Sequence, residues 1–190
     1  MQGKISVLEE VALNPHKHLI EGTLSGDHKS FKRLYGLYAR AMYNTAFRIV
    51  NDKAEAEDIL QESFLSAYHN LRSFRFESTF GAWLKRIVVN KSLTVLQKRK
   101  LEFDSLDDKD CLQEKEDEIE SDNAFPCTVK QVVNAIEKLP DGYRTILSLY
   151  LLEGYDHVEI SQILNISEST SKSQYSRARQ KLLQILNKTL

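Results

Sequence analysis

Val158-Glu159-Ile160-Ser161-Gln162-Ile163-Leu164, then Asn165-Ile166-Ser167, then Glu168-Ser169-Thr170-Ser171-Lys172-Ser173-Gln174, is the stretch that decides the fold. Its grammar is that of a helix-turn-helix. Ile160, Ile163 and Leu164 recur at three- and four-residue steps and anchor the first helix. Ile166 plugs the turn, and Ser167 supplies a hydroxyl to bond an orphan N–H of the second helix. That second helix runs to about Leu186 and begins with small hydroxyl residues, followed by Ser176-Arg177-Ala178-Arg179. Ser169, Thr170, Lys172, Ser173, Gln174, Ser176, Arg177 and Arg179 therefore form a slim, cationic face that suits a DNA major groove. A merely solvated polar face is the alternative for such a helix taken alone.

Working upstream, Val129, Val132, Val133, Ile136 and Leu139 form a helical stripe that Pro140 and Gly142 stop. Tyr143 to Glu153 reads as the next helix, ended by Gly154. With Val158–Leu164 and the helix after it, residues 128–190 make a four-helix unit. Before it, residues 100–127 carry 3 Lys+Arg against 11 Asp+Glu and almost no apolar periodicity, the composition of a flexible acidic linker. A short helix over Leu112–Ile119 is compatible with its sequence. Residues 1–99 carry 15 against 10, and residues 128–190 carry 8 against 6. The net charge of −1 thus conceals two mildly basic blocks joined by an acidic strap, and basic blocks face phosphates.

The first block is helical too. Ser25-Gly26-Asp27 breaks the chain and offers Asp27 as N-cap, after which Phe31, Leu34, Tyr35, Tyr38, Met42 and Ala46 mark an amphipathic helix. Asn51-Asp52 starts a second, from about Ala54 to Leu71, with Leu60, Phe64, Ala67, Tyr68 and Leu71 inward. Asp58, Gln61, Glu62 and Leu65 fall on another stripe, which offers acceptors to a basic partner or is simply solvated. Arg72 to Thr79 has no period and reads as a loop in which Phe74 and Phe76 alternate with Arg72 and Arg75, a mix suited to stacking on single-stranded bases while touching phosphates. A third helix runs from Phe80 to about Arg99. It carries Trp83, read as core through its i+4 relation to Ile87, and Lys85, Arg86, Asn90 and Lys91, placed to hold a strand nearby.

Other classes are disfavoured. The longest apolar runs fall far short of the ~20 residues that cross a bilayer, and the N-terminus leads into Glu9-Glu10 instead of a signal core, so a cytoplasmic protein is expected. Cys111 and Cys127 form no metal-ligand pattern and are expected to be reduced thiols; no metal or cofactor is expected. There is no phosphate-cradling glycine loop, paired catalytic carboxylate or nucleophile with a His partner. Binding is expected, with no small-molecule substrate, and not bond-making.

Leu139-Pro140 with Tyr143-Arg144, Glu153-Gly154, Glu159-Ile160 and Ile166-Ser167 through Ser176-Arg177-Ala178-Arg179 resembles region 4 of the extracytoplasmic-function (ECF) sigma factors of bacterial RNA polymerase. Independently, Gly26-Asp27 with Phe31 and Leu34-Tyr35 looks like region 2.1. Ala56-Glu57-Asp58-Ile59-Leu60-Gln61-Glu62-Ser63-Phe64 is similar to region 2.2, and Phe80-Gly81-Ala82-Trp83-Leu84-Lys85-Arg86-Ile87 with Asn90 to regions 2.3 and 2.4.

The resemblance implies an all-α chain: an extension (1–19), region 2 (20–99), the linker (100–127) and region 4 (128–190). It implies that the Asp58–Gln61–Glu62 face docks on a coiled coil of the polymerase β′ subunit, with β also contacted. By the same resemblance the 72–79 loop captures a −10 base. Lys172, Ser173, Ser176 and Arg177 would meet the −35 duplex, and an anti-sigma protein would hold the factor in check. Where the family often has valine and arginine, this chain has Ser171 and Gln174, which bears on base preference. The linker's acidity suits a strap in the polymerase RNA path. A free-standing helix-turn-helix regulator is the alternative, and a helical adaptor without a DNA role is a third; both leave the Asp58–Gln61–Glu62 face and the aromatic loop unexplained.

Overall fold

The computed structural model describes residues 14–104 and 128–188. The chain divides into two compact units, Met1–Thr94 and Val95–Leu190. Among the described residues every regular element is helical. Most of the acidic linker, with Cys111, Cys127 and the Leu112–Ile119 helix expectation, lies outside them, as do residues 1–13.

In the first unit, α1 (Lys17–Leu24) precedes α2 (His28–Val50), α3 (Lys53–Asn70), a 3₁₀ turn (Leu71–Ser73) and the part of α4 (Phe80–Asp104) up to Thr94, where the division between the units falls. Asp27 caps α2 as its sequence indicates, accepting from the N–H groups of Lys29 and Ser30 at 3.0 and 3.2 Å and from the Ser30 hydroxyl at 2.6 Å. The Ser30 hydroxyl, then the Lys29 N–H, hold the Asp27 carboxyl below its ordinary value. At the other end Asn51 takes a left-handed conformation (φ 54°) that closes α2, and Asp52 at once caps α3 through the Glu55 N–H at 2.9 Å. This two-residue reversal lays α3 back along α2.

The core they share contains Leu34, Met42, Ala46 and Ile49 from α2, Ala56, Ile59, Leu60 and Phe64 from α3, and Leu84, Val88, Val89 and Leu93 from α4, all buried. Fully burying such a side chain contributes roughly 1.5–3 kcal/mol, so this shared stripe is what holds three helices of marginal individual stability. At two points the helices meet so closely that only glycine fits. A Cβ on Gly81 would lie 2.9 Å from the Tyr38 ring, and one on Gly22 would lie 2.5 Å from the Ser30 hydroxyl.

Two features of these helices differ from the sequence expectation. Helix α1 packs on α2 through buried Leu19, Ile20 and Thr23, so the packed structure begins within what reads as an extension. Helix α4 continues to Asp104, five residues past its expected end at Arg99.

The second unit comprises α5 (Val129–Glu137), α6 (Asp141–Leu147) running into a π turn (Ser148–Leu152), α7 (His157–Leu164) and α8 (Glu168–Asn187). Capping boxes start α5 (Thr128 with Gln131) and α7 (Asp156 with Glu159). Arg144 is almost wholly buried, at 3% exposure, and donates to the Leu139 carbonyl at 2.8 Å and to the Asp141 carboxylate, which locks the α5–α6 corner. Ile136, Leu139, Ile146, Leu147, Leu149, Ile160, Ala178, Leu182 and Leu186 fill the core.

The α5 stripe is rotated from its sequence reading. Ala135 takes an inward seat beside Ile136, while Val129 is 81% exposed and Val133 is exposed too. The expected Tyr143–Glu153 helix is instead α6 plus the π turn; the wider turn shifts the helical phase, and Leu151 and Leu152 face outward.

Candidate docking and nucleic-acid interfaces

Helix α3 separates two jobs by face. Ala56, Ile59, Leu60, Ser63, Phe64 and Ala67 are buried, and Asp58, Gln61, Glu62 and Leu65 lie on the opposite side, all exposed. Leu65 is 58% exposed. A large apolar side chain left open between carboxylates and an amide has the make-up of an interface centre with a polar rim. The i, i+3, i+4, i+7 spacing already placed these four residues together, and the fold keeps them together.

The loop after α3 does not sort as its sequence suggests. Phe74 is buried, its ring 5.3 Å from Trp83, 6.0 Å from Phe80 and 4.8 Å from Phe76. It belongs to the core under the loop and cannot stack on a base from there, which corrects the expectation that it does. Phe76 is the ring that remains available. It is half-buried and held at φ 59°, a conformation that bulky residues rarely adopt. Its support comes from Phe74 on one side and from the Lys17 ammonium of α1, 5.6 Å from the ring centre. Arg72 and Arg75 are exposed on either side of Phe74. Trp83, expected in the core, is half-buried among Phe74 and Phe80.

On α4 the four expected strand contacts divide. Arg86 and Asn90 are exposed one turn apart, on the side of the helix that also carries Trp83. Lys85 is half-buried, a third of a turn away. Lys91 donates to the Glu62 carboxylate at 3.1 Å, which ties the strand-binding candidates to the exposed face of α3. Nothing in the local pattern of either helix signals this pair, whose partners lie far apart in sequence.

Support for the loop comes partly from α1 and α2. Tyr38 shares a 2.9 Å hydrogen bond with His16 Nδ1, and its ring meets Phe80 edge-on at 5.2 Å. Burial pushes the Tyr38 phenol above its ordinary value.

In the second unit, α7 and α8 form the expected helix-turn-helix. Asn165 turns the chain at φ 54°, and the Ser167 hydroxyl accepts from the Thr170 N–H at 3.0 Å. Ser169, Lys172, Ser173, Ser176, Arg177 and Arg179 are exposed, while Thr170 and Gln174 are half-buried at the margins. The Ser169 and Thr170 hydroxyls both contact the capping Ser167 hydroxyl, at 2.8 and 2.7 Å, so they are partly committed to the cap. Lys172 pairs with Glu168 at 2.7 Å. Glu168, absent from the sequence-based set, is thus a further player on this face; its i, i+4 spacing to Lys172 was the available signal.

Comparison with known proteins places this geometry. Residues 34–102 match the family described as Sigma-70 region 2, and residues 130–182 match Sigma-70, region 4. The ECF RNA polymerase sigma factor SigW of Bacillus subtilis is 32% identical over 176 residues, covering 87% of this chain and 94% of the relative. The chain belongs to the ECF sigma factors.

A second ECF sigma factor, SigM of Bacillus subtilis, is 32% identical over 82% of this chain and 94% of its own length. Two solved structures share the fold. The sigma factor RpoE in complex with the anti-sigma factor NepR, from Bartonella quintana, has a TM-score of 0.57 at 24% identity and covers 84% of this chain and 98% of its own. CnrH in complex with the cytosolic domain of CnrY has a TM-score of 0.55 at 23% identity, covering 90% and 97%. ECF sigma factors are non-catalytic initiation factors that direct RNA polymerase to promoters, and core RNA polymerase and promoter DNA are this chain's partners. Among the described residues no helix is long and apolar enough to cross a membrane.

Proposed function

We propose that the two units divide promoter recognition between them. Helix α3 docks on core polymerase, on β′, through Leu65 with Asp58, Gln61 and Glu62 around it. The 74–79 loop and the outer side of α4 receive the opened −10 strand, with Phe76 offering its ring, Arg72 and Arg75 meeting phosphates, and Arg86 and Asn90 lining the path. Helix α8 enters the −35 major groove with Lys172, Ser173, Ser176 and Arg177 foremost. We assign residues 20–99 to the first role and 128–190 to the second, with 100–127 as an acidic strap between them that follows the RNA path. The protein itself makes and breaks no bond and works in the cytoplasm beside the polymerase. An anti-sigma protein is its expected restraint, and RpoE of Bartonella quintana has been solved in complex with the anti-sigma factor NepR.

The observation that carries this reading is the division of α3: a core-forming stripe on one side, and directly opposite it an exposed leucine framed by acceptors. The small excess of positive charge on residues 1–99 and on residues 128–190 also suits domains that bind DNA weakly until polymerase adds contacts. Ribonucleotide incorporation from a matched promoter provides the test, using three variants scored separately. Leu65→Asp should abolish association with core. Phe76→Ala should permit association but impair strand opening. Arg177→Ala should permit both yet lose dependence on the −35 sequence. Loss of the same single step in all three would overturn the division of labour.

A further inference from the structure

His157 opens α7, and its imidazole is wedged against α8 at two places one turn apart. Its Nδ1 lies 3.0 Å from the Ser171 hydroxyl, and its ring meets the Tyr175 ring edge-on, with centroids 5.6 Å apart. Behind it Tyr150 of the π turn stacks on the imidazole, 4.6 Å away and 21° from parallel, and touches Tyr175 at 4.5 Å. Ser171 is fully buried. Residues 171 and 175 lie on the inward stripe that Ala178 and Leu182 continue, while Lys172, Ser173 and Ser176 point away from it.

A rod touched at one point can still roll about its axis. Contact at two points a turn apart, one of them a directional hydrogen bond, removes that freedom. A roll of α8 by one residue's worth of arc, about 100°, would replace the entire outward set. Much smaller rolls would already move the Lys172 and Arg177 head groups out of reach of base edges, because hydrogen bonds weaken steeply with angle. The apolar contacts deeper in the unit resist separation of the helices but have no comparable directionality.

We propose that His157 is a positioning residue for promoter reading: through Ser171 and Tyr175 it sets the rotation of α8, and so which bases the outward residues meet. This rests on the reading of α8 as the −35 reader. His157 itself need touch no DNA.

The test uses the full chain assembled with core polymerase and a panel of promoters carrying each single-base change in the −35 element. Ser171→Ala and His157→Phe remove the hydrogen bond from either side, and His157→Phe keeps a ring between the tyrosines. His157→Asn keeps a polar group near the Nδ1 position without the ring. Thermal unfolding is recorded for each. Ser171→Ala and His157→Phe should each flatten −35 discrimination roughly 5- to 10-fold, the lower part of the range a well-seated base contact supplies. Their double variant should be no flatter than either single one, His157→Asn should recover part of the profile, and discrimination at −10 should stay unchanged. An unchanged −35 profile in both single variants would overturn the proposal. So would a loss of affinity equal for all −35 sequences that tracks the fall in unfolding temperature. Arg177→Ala separates the two levels. If the unaltered protein shows no −35 preference, or Arg177→Ala leaves it intact, the assignment of α8 fails; if Arg177→Ala flattens the profile and the His157 and Ser171 variants do not, only the positioning role fails.

Discussion

Replacing Leu65 by alanine isolates the contribution of the proposed docking face. Fully burying a leucine contributes about 1.5–3 kcal/mol relative to leaving it in water. Leu65 is 58% exposed in the folded chain, so that share, about 0.9–1.7 kcal/mol, remains to be gained when a partner covers it. Alanine forfeits the larger part of this gain, equivalent to a roughly 3- to 15-fold weaker complex at about 1.4 kcal/mol per decade. Leu65→Asp goes further, adding a third carboxylate to a face that already bears Asp58 and Glu62, and burying it there without a partner. The fold should not notice either change much: the position lies outside the core, alanine is the stronger helix former, and exposed substitutions usually stay within about 0.5 kcal/mol. Titrating labelled protein with core polymerase gives the affinity, and a thermal melt of the free chain gives the stability. The reasoning is refuted by an unchanged affinity in both variants, or by a weakened complex matched by an equally weakened fold, since Leu65 would then be acting through structure.

Phe74 and Phe76 should come apart cleanly. Phe74→Ala removes a buried ring and should cost about 3–5 kcal/mol of unfolding free energy, whereas Phe76→Ala removes only a half-buried ring and should cost clearly less, while reducing permanganate reactivity of −10 thymines in the assembled complex. Glu168→Gln frees Lys172 from its ion pair and removes a negative charge from the side of α8 proposed to face the groove; −35 binding should strengthen at low salt with a steeper salt dependence, and a weakened or unaltered affinity would count against this placement. Asp27 has a lowered carboxyl in the folded chain, so its stabilisation is present above the ordinary carboxylate range and disappears as pH falls through the folded value. Asp27→Ala should therefore lose stability at neutral pH, and denaturant melts should show the gap to the unaltered protein closing in acid; a gap independent of pH would contradict the capping account.

Much of this was readable before any coordinates, and the reasons differ by element. The long helices α2 and α3 declare themselves because period and cap agree: Asp27 and Asp52 sit where the apolar steps begin. The helix-turn-helix is equally plain, since Ile160, Asn165 and Ser167 each perform a job that few other residues perform. Helix α1 stayed hidden because eight residues with a glycine inside supply too short a pattern, and its stability comes from packing on α2. Val129 and Val133 look inward on period alone, yet a short helix is rotated by whichever face its neighbours can fill, and Ala135 filled it. Phe74 was misplaced because alternation in a loop carries no information about which ring the preceding turn drives inward. The Lys91–Glu62 and His157–Ser171 pairs join residues on different helices, and a single sequence contains no trace of either.

The account stands most directly on whether this chain confers promoter choice on polymerase. Core enzyme stripped of its own sigma factors, supplied with the purified protein and a library of promoter fragments, should yield transcripts from a discrete subset sharing −35 and −10 elements at one fixed spacing, with no discrete products when the protein is omitted. Transcripts no more selective than those of core alone, under conditions where the protein is folded, would contradict it.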